Sequence, residues 1–332
     1  MAWKKAGFAV AAVIAVMVVL AVAVFSVTPP KAKAISYGVV FSQKHAQNLG
    51  LDWKETYRAL LDDLGVNNVK IASYWDLLEP QAGQYAFDDL DWQIDRAAER
   101  GASVMLVVGM KTPRWPECHI PAWAQGLGRE KQQAAILSMI ETVVRRYQDR
   151  PAVKMWQVEN EPLFPFGECP WMDEAFLQKE AALVKSLDAN FRPVLISDSG
   201  ESSLWFEAAE IGDVVGVTMY RKVWFHEARS YVSYPIPPSW YWLKAKLVDA
   251  MYKKKVICVE LQEEPWCPNL LYDCSVAEQA KTMDASQFEK NLDFARRTGL
   301  DTFYLWGGEW WFWQKQKNNN DAFWNEAKTL WQ

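Results

Sequence analysis

The chain has 332 residues, 50% of them hydrophobic, 14% aromatic and 23% charged, enough apolar matter for one large core and too much for a disordered or fibrous chain. A net charge of −5 argues against a nucleic-acid binder, whose affinity rests on a basic surface. Three scattered histidines without HExxH or paired CxxC give no support for a metal, and without GxxxxGK[ST] or a strand-following GxGxxG no nucleotide cofactor is implied.

In chain order, the first feature is an uncharged run of 22 residues from Ala6 to Val27, behind Lys4 and Lys5 and ahead of Pro29 and Pro30. At about 1.5 Å per helical residue it would span roughly 33 Å, enough for a bilayer core. Residues 1–34 are therefore expected to be a signal anchor, or a signal peptide cleaved after Ala32-Lys33-Ala34. Either form exports the rest of the chain, leaving it at the cell membrane or secreted, with the membrane as a partner through this segment. In that compartment Cys118, Cys169, Cys267 and Cys274, which sit in loops, have bridges open to them, in three possible pairings. The short loop between Cys267 and Cys274 favours that pair, with Cys118 to Cys169 as the other. Cys258, inside an apolar run, reads as a buried thiol.

After Ile35, short apolar runs alternate with longer amphipathic ones. The expected strands are Ile35–Ser42, Asn68–Tyr74, Ser103–Gly109, Val153–Glu159, Pro193–Ser197, Val214–Tyr220, Val256–Glu260 and Asp301–Trp306, each followed by a helical stretch. Trp53, Tyr57, Leu60, Leu61 and Leu64 repeat at helical spacing behind Asp52, a ready N-cap. Eight strand-helix units in residues 35–332, with no Ser/Gly linker, predict an α/β chain forming a single (β/α)8 barrel. The rival doubly wound sheet would ordinarily carry a Gly-rich first turn, where this chain has Gln43-Lys44-His45.

A barrel puts its chemistry at the carboxyl ends of its strands. Asn160-Glu161-Pro162 follows the fourth expected strand, and Glu260 ends the seventh. Two carboxyl groups at that height are what glycosidic bond cleavage needs, one to protonate the departing oxygen and one to attack the sugar carbon or activate water.

Here the sequence resembles the clan A glycoside hydrolases, in particular the cellulase-like family 5 and the β-galactosidase-like family 42. The residues that carry the resemblance are Asn160-Glu161-Pro162, Glu260 with Gln262 and Glu264-Pro265-Trp266, Leu78-Glu79-Pro80 with Gly83-Gln84-Tyr85-Ala86-Phe87, and Trp306. The resemblance implies a retaining hydrolase of a β-linked oligo- or polysaccharide. Glu161 would be the acid/base and Glu260 the nucleophile. Asn160 would hold the sugar's 2-hydroxyl, Tyr220 would touch the nucleophile, and Trp306 would floor the site. By position alone, Trp75, Trp115, Trp171, Trp224, Trp266, Trp306, Trp310 and Trp311 follow strands and should gather at one barrel face, about half of them, Trp115 and Trp266 included, lining a cleft, with His119 and His226 in the same loops able to hydrogen-bond hydroxyls. The family places arginine on the second strand, where this chain has Lys70, which supplies charge without a planar fork. Arg114 and Arg221 are the other cations able to reach in. A transglycosylase with the same carboxylates and a silent carbohydrate-binding barrel are the alternatives.

Overall fold

The computed structural model describes residues 24–226 and 228–332, together with residues 12, 15, 19 and 22. The expected amino-terminal membrane segment thus lies for the most part outside the described residues, and among those described no helix is long and apolar enough to cross a membrane.

Among the described residues, eight parallel strands close into a barrel: β1 (Ser36–Val40), β2 (Asn68–Ala72), β3 (Ser103–Val108), β4 (Val153–Val158), β5 (Val194–Asp198), β6 (Val214–Met219), β9 (Lys255–Gln262) and β10 (Thr302–Trp306). The circuit runs β1-β10-β9-β6-β5-β4-β3-β2, so sequence neighbours are sheet neighbours and the barrel is closed by β1 on β10. All eight strands fall where the apolar runs predicted them. Absent from that expectation is an antiparallel hairpin, β7 (Lys222–Phe225) with β8 (Ser230–Ser233), inserted between β6 and the helix Pro238–Tyr252.

Helices pack outside the strands because their apolar faces match the outward strand residues. Asp52 caps Trp53–Asp62 through the amides of Lys54 and Glu55, as its position suggested, and Asp173 and Asp284 cap the helices that follow β4 and β9. The outer core holds Val69 and Ile71, Val104 and Leu106, Val215 and Val217, and Phe303 and Leu305, every second residue of their strands. The inner face carries Val40, Met105, Leu195, Ile257, Val259, Tyr304 and Trp306.

That two-residue period also points polar side chains inward: Lys70 on β2, Gln157 on β4, Ser197 on β5 and Thr218 on β6. Strand β9 breaks the period. Its register against β6 skips from Cys258 to Glu260, and against β10 it runs three residues for two. This β-bulge puts Val259 inside, keeps Leu261 in the outer core, and leaves Glu260 free to turn inward between them.

A disulfide joins Cys118, after β3, to Cys169, after β4, as one of the expected pairings had it. The second expected bridge is corrected: Cys267 and Cys274 are free thiols, the Cys274 thiol being directed to the Asn269 carbonyl, to which it donates at 3.8 Å.

Candidate active site

Glu260 is buried, and both its carboxylate oxygens are engaged. Lys70 Nζ donates to Oε1 at 2.9 Å, and Tyr220 Oη donates to Oε2 at 2.9 Å. The same ammonium lies 3.4 Å from Asn160 Oδ1. Lys70, at the second-strand position where the resembled families carry arginine, is thus the cation that meets this carboxylate. Neither other candidate cation reaches this carboxylate: Arg114 pairs with Glu264 and Glu309, and Arg221 donates to the carbonyls of Ile236 and Tyr234. Burial, followed by the charge of Glu260, raises the Tyr220 pKa well above its usual value, so the phenol keeps the proton it donates.

Glu161 has the opposite surroundings. It is almost fully buried, and burial together with the charges of Glu260 and Glu117 raises its pKa well above the carboxylate range. Thr218 Oγ1 donates to its Oε1 at 3.2 Å, and its backbone N–H donates to Ser197 Oγ at 2.8 Å. Asn160 is fixed by Gln157 Nε2, which donates to its Oδ1 at 3.1 Å, and its own Nδ2 donates to Glu117 at 3.2 Å.

Crossed ties hold the loops after β3 and β4. Glu159 accepts from the amides of Met110, at 2.7 Å, and Lys111, while Lys111 Nζ donates to the carbonyls of Glu161 and Phe164, each at 2.8 Å. Gly109 makes the first tie possible, because a Cβ there would come 2.4 Å from the Glu159 carboxylate. Glu159 and Glu161 both adopt left-handed backbone, with φ of 57° and 43°, which costs on the order of 1–3 kcal/mol each and is found where a fold aims side chains at a site.

Beneath these loops Glu159 and Glu180 are buried as neighbours, and burial raises both pKa values, that of Glu159 to about 7. The folded protein thus holds protons that the unfolded chain releases above about pH 4. Stability from this pair is full below that pH and is lost as pH rises through about 7. Thermal melts should accordingly show a falling midpoint between pH 5 and pH 8, with a shallower fall in Glu180→Gln; a flat profile in the parent protein would contradict it.

The other expected aromatics divide by place. From Tyr220 a line of rings runs outward through Trp266 (5.1 Å between centroids) and Phe166 (5.9 Å from Trp266) to Trp115 (6.1 Å from Phe166), which is 46% exposed. Trp306 lies at the carboxyl end of β10, on its inner face, with the Arg114 guanidinium 3.8 Å over its ring. Trp75, Trp310 and Trp311 are sealed in the core and are not available as platforms. His119 is also committed, between Lys44 Nζ at 2.9 Å and the Arg114 carbonyl at 3.1 Å, and His226 is exposed on the outer hairpin.

Sequence reasoning missed Glu117 and Glu201. Glu201 accepts from the Tyr220 amide at 2.7 Å and the Tyr241 hydroxyl at 2.8 Å, and so positions Tyr220. Both lie in loops, where no periodicity marks a side chain as inward.

Glycoside hydrolase family 42, described as Beta-galactosidase, matches residues 45–126, a stretch that includes Lys70 but neither Glu161 nor Glu260. Among curated relatives, Beta-galactosidase LacZ of Heyndrickxia coagulans is 29% identical over 135 residues, 35% of this chain and 20% of that protein. A Beta-galactosidase of Arthrobacter sp is 31% identical over 121 residues, 31% of this chain and 17% of that one. The matched stretch thus spans about a fifth of these relatives' length. In fold, GH5_18 from Streptomyces cattleya, solved in complex with GlcNAc, matches with a TM-score of 0.58 at 15% identity over 83% of this chain and 70% of that one. The β-galactosidase of Halorubrum lacusprofundi matches with a TM-score of 0.55 at 16% identity, over 82% of this chain and 52% of that one. In sequence over residues 45–126, and in fold over more than four fifths of its length, this chain is similar to the clan A glycoside hydrolases, as its motifs indicated.

Proposed function

We propose that this chain is a retaining O-glycoside hydrolase acting on a β-linked oligo- or polysaccharide, with Glu161 as acid/base and Glu260 as nucleophile. One observation carries the reading: two buried carboxyl groups at the ends of β4 and β9 have opposite electrostatic surroundings. Burial and neighbouring carboxylates favour a protonated Glu161, while Lys70 and Tyr220 both present hydrogens to Glu260. A neutral acid can protonate a leaving oxygen, and an ionised carboxylate can attack the anomeric carbon. Once the glycosyl ester forms, the charge of Glu260 disappears. Glu161 then gives up its proton more readily and can serve as base toward water. The Asn160 amide, held by Gln157, would bind the sugar beside the ester, and Trp266, Phe166 and Trp115 would offer ring faces along the way in.

The direct test is trapping. After screening of aryl β-glycosides and polysaccharides, a 2-fluorosugar matched to the accepted substrate should label the peptide that contains Glu260, and label on another residue would remove the assignment. The pH profile gives a second check. With a poor leaving group, kcat/KM should fall as pH rises through the elevated pKa of Glu161, and that limb should vanish with a glycosyl fluoride, whose departure needs no proton. A limb equally present in both would exclude Glu161 as the acid.

We also place the barrel outside the cytoplasm. The uncharged run 6–27 and the Cys118–Cys169 bridge, which persists best in an oxidising compartment, support this location.

A further inference from the structure

A third carboxyl group, Glu117, is built into the same site with more backbone support than packing alone requires. Its φ of 70° is left-handed, a conformation that costs a glutamate backbone strain. Its N–H donates to the Arg114 carbonyl at 2.7 Å and its carbonyl accepts from Thr112 at 2.9 Å. On either side the chain is clamped to the loop after β4: Cys118 is bonded to Cys169, and the Glu168 amide donates to the Pro116 carbonyl at 2.9 Å. Gly167 lies flush against the side chain, where a Cβ would come 2.5 Å from that of Glu117. Two loops are thus fastened together around one carboxyl group.

That carboxyl has an open valence. It is 95% buried, and its side-chain partner is Asn160 Nδ2 on Oε2. Among the described residues no cation lies within ion-pairing distance of it; Lys70 is paired to Glu260, and Lys111 donates to backbone carbonyls. The charges of Glu260, Lys111 and Lys70 all act on it, which puts it beside the proposed reaction centre, and burial raises its pKa to about 7. Meanwhile Asn160 Oδ1 is filled by Gln157 and Lys70, and one hydrogen of its Nδ2 is left over. The site therefore offers an acceptor and a donor side by side, the pattern that a sugar hydroxyl, itself donor and acceptor, completes.

Resting on the glycosidase reading, we infer that Glu117 is a substrate-reading residue: its free carboxyl oxygen accepts a hydrogen bond from one hydroxyl of the sugar ring held between Glu161 and Glu260, beside the remaining N–H of Asn160. A purely structural Glu117, holding Asn160 and nothing else, would affect all substrates alike.

The test measures kcat/KM for the best aryl β-glycoside and its monodeoxy analogues at each ring hydroxyl, with the parent enzyme, Glu117→Gln and Glu117→Ala. Intrinsic differences in reactivity among deoxy sugars cancel when the variants are compared. In the parent enzyme assayed above about pH 7, where Glu117 is ionised, one deoxy position should carry a penalty of about 10- to 100-fold, the size of a hydrogen bond to a charged acceptor. That penalty should fall to within about threefold in Glu117→Ala and be reduced in Glu117→Gln, with the other positions unmoved. Should Glu117→Ala fail to fold, Glu117→Gln, which keeps the shape and backbone preference, carries the comparison. Equal deoxy penalties in all three proteins would overturn the inference while leaving the glycosidase reading intact if Glu260 is still labelled. Absence of turnover and of labelling in the parent enzyme would overturn both.

Discussion

Replacing Glu260 with alanine is expected to lower turnover of an activated aryl β-glycoside by at least about 10³-fold, and azide is expected to restore it with inversion at the anomeric carbon. The magnitude follows from the proposed role: without the carboxylate no glycosyl ester would form, and the residual site could only bind and protonate. The methyl group of alanine leaves room on the nucleophile's side of the ring, in a pocket still lined by Lys70 and Tyr220. A small anion can enter there and attack once, which inverts the centre. In Glu161→Ala the loss should be about 10²- to 10⁴-fold, the usual worth of general acid–base help, and azide should give product of retained configuration, because it then intercepts an ester already formed on Glu260. The stereochemistry, read by NMR of the glycosyl azides, separates the two roles where loss of activity cannot. Retained configuration from the Glu260 variant, or full activity in either one, would refute the assignment.

How far this site could be read from residues alone differs from strand to strand. On β2, β6 and β10 the two-residue alternation suffices: Val69 and Ile71 face the helices, so Lys70 must face inward, and the same count brings Thr218 and Trp306 inside. On β9 that count gives the wrong answer. Ile257 and Val259 line the interior, so strict alternation would turn Glu260 outward with Cys258, and only the bulge against both neighbours reverses it. The family motif supplied what periodicity did not. Glu117 and Glu201 had no comparable signal, since their placement comes from loop-to-loop fastening across a long stretch of chain, through Cys118–Cys169 in one case and Tyr220 and Tyr241 in the other. The tryptophans misled for a related reason. Following a strand puts a residue at the right end of the barrel, but whether its ring meets solvent depends on what covers it, and Trp310 and Trp311 are covered by the helix that carries them and by its neighbours. The loop cysteines show the same limit: a short separation permits a bridge between Cys267 and Cys274, but bridging also depends on how the loop directs the two sulfurs.

Lys70→Met should reduce both stability and activity, and the two losses should part company on a second substitution. Lys70 and Glu260 form an ion pair of 2.9 Å in which both side chains are sealed from water. Such pairs are expensive to desolvate, and removing one partner leaves a buried charge without compensation, a loss of about 3–5 kcal/mol. Methionine keeps the length of the lysine stem, so packing changes little and the missing charge dominates. The carboxyl of Glu260 then lacks the cation that faces it, so turnover should drop with it. Adding Glu260→Gln removes the orphaned charge: the double variant should recover much of the lost denaturation midpoint while remaining inactive. Lys70→Arg tests geometry in place of charge. It retains the cation but must fit a larger planar group where Asn160 Oδ1 and Glu260 Oε1 now share one ammonium, so its activity should lie between those of the parent enzyme and Lys70→Met. Wild-type stability in Lys70→Met, or no recovery in the double variant, would show that the buried pair is not what holds the proposed nucleophile in place.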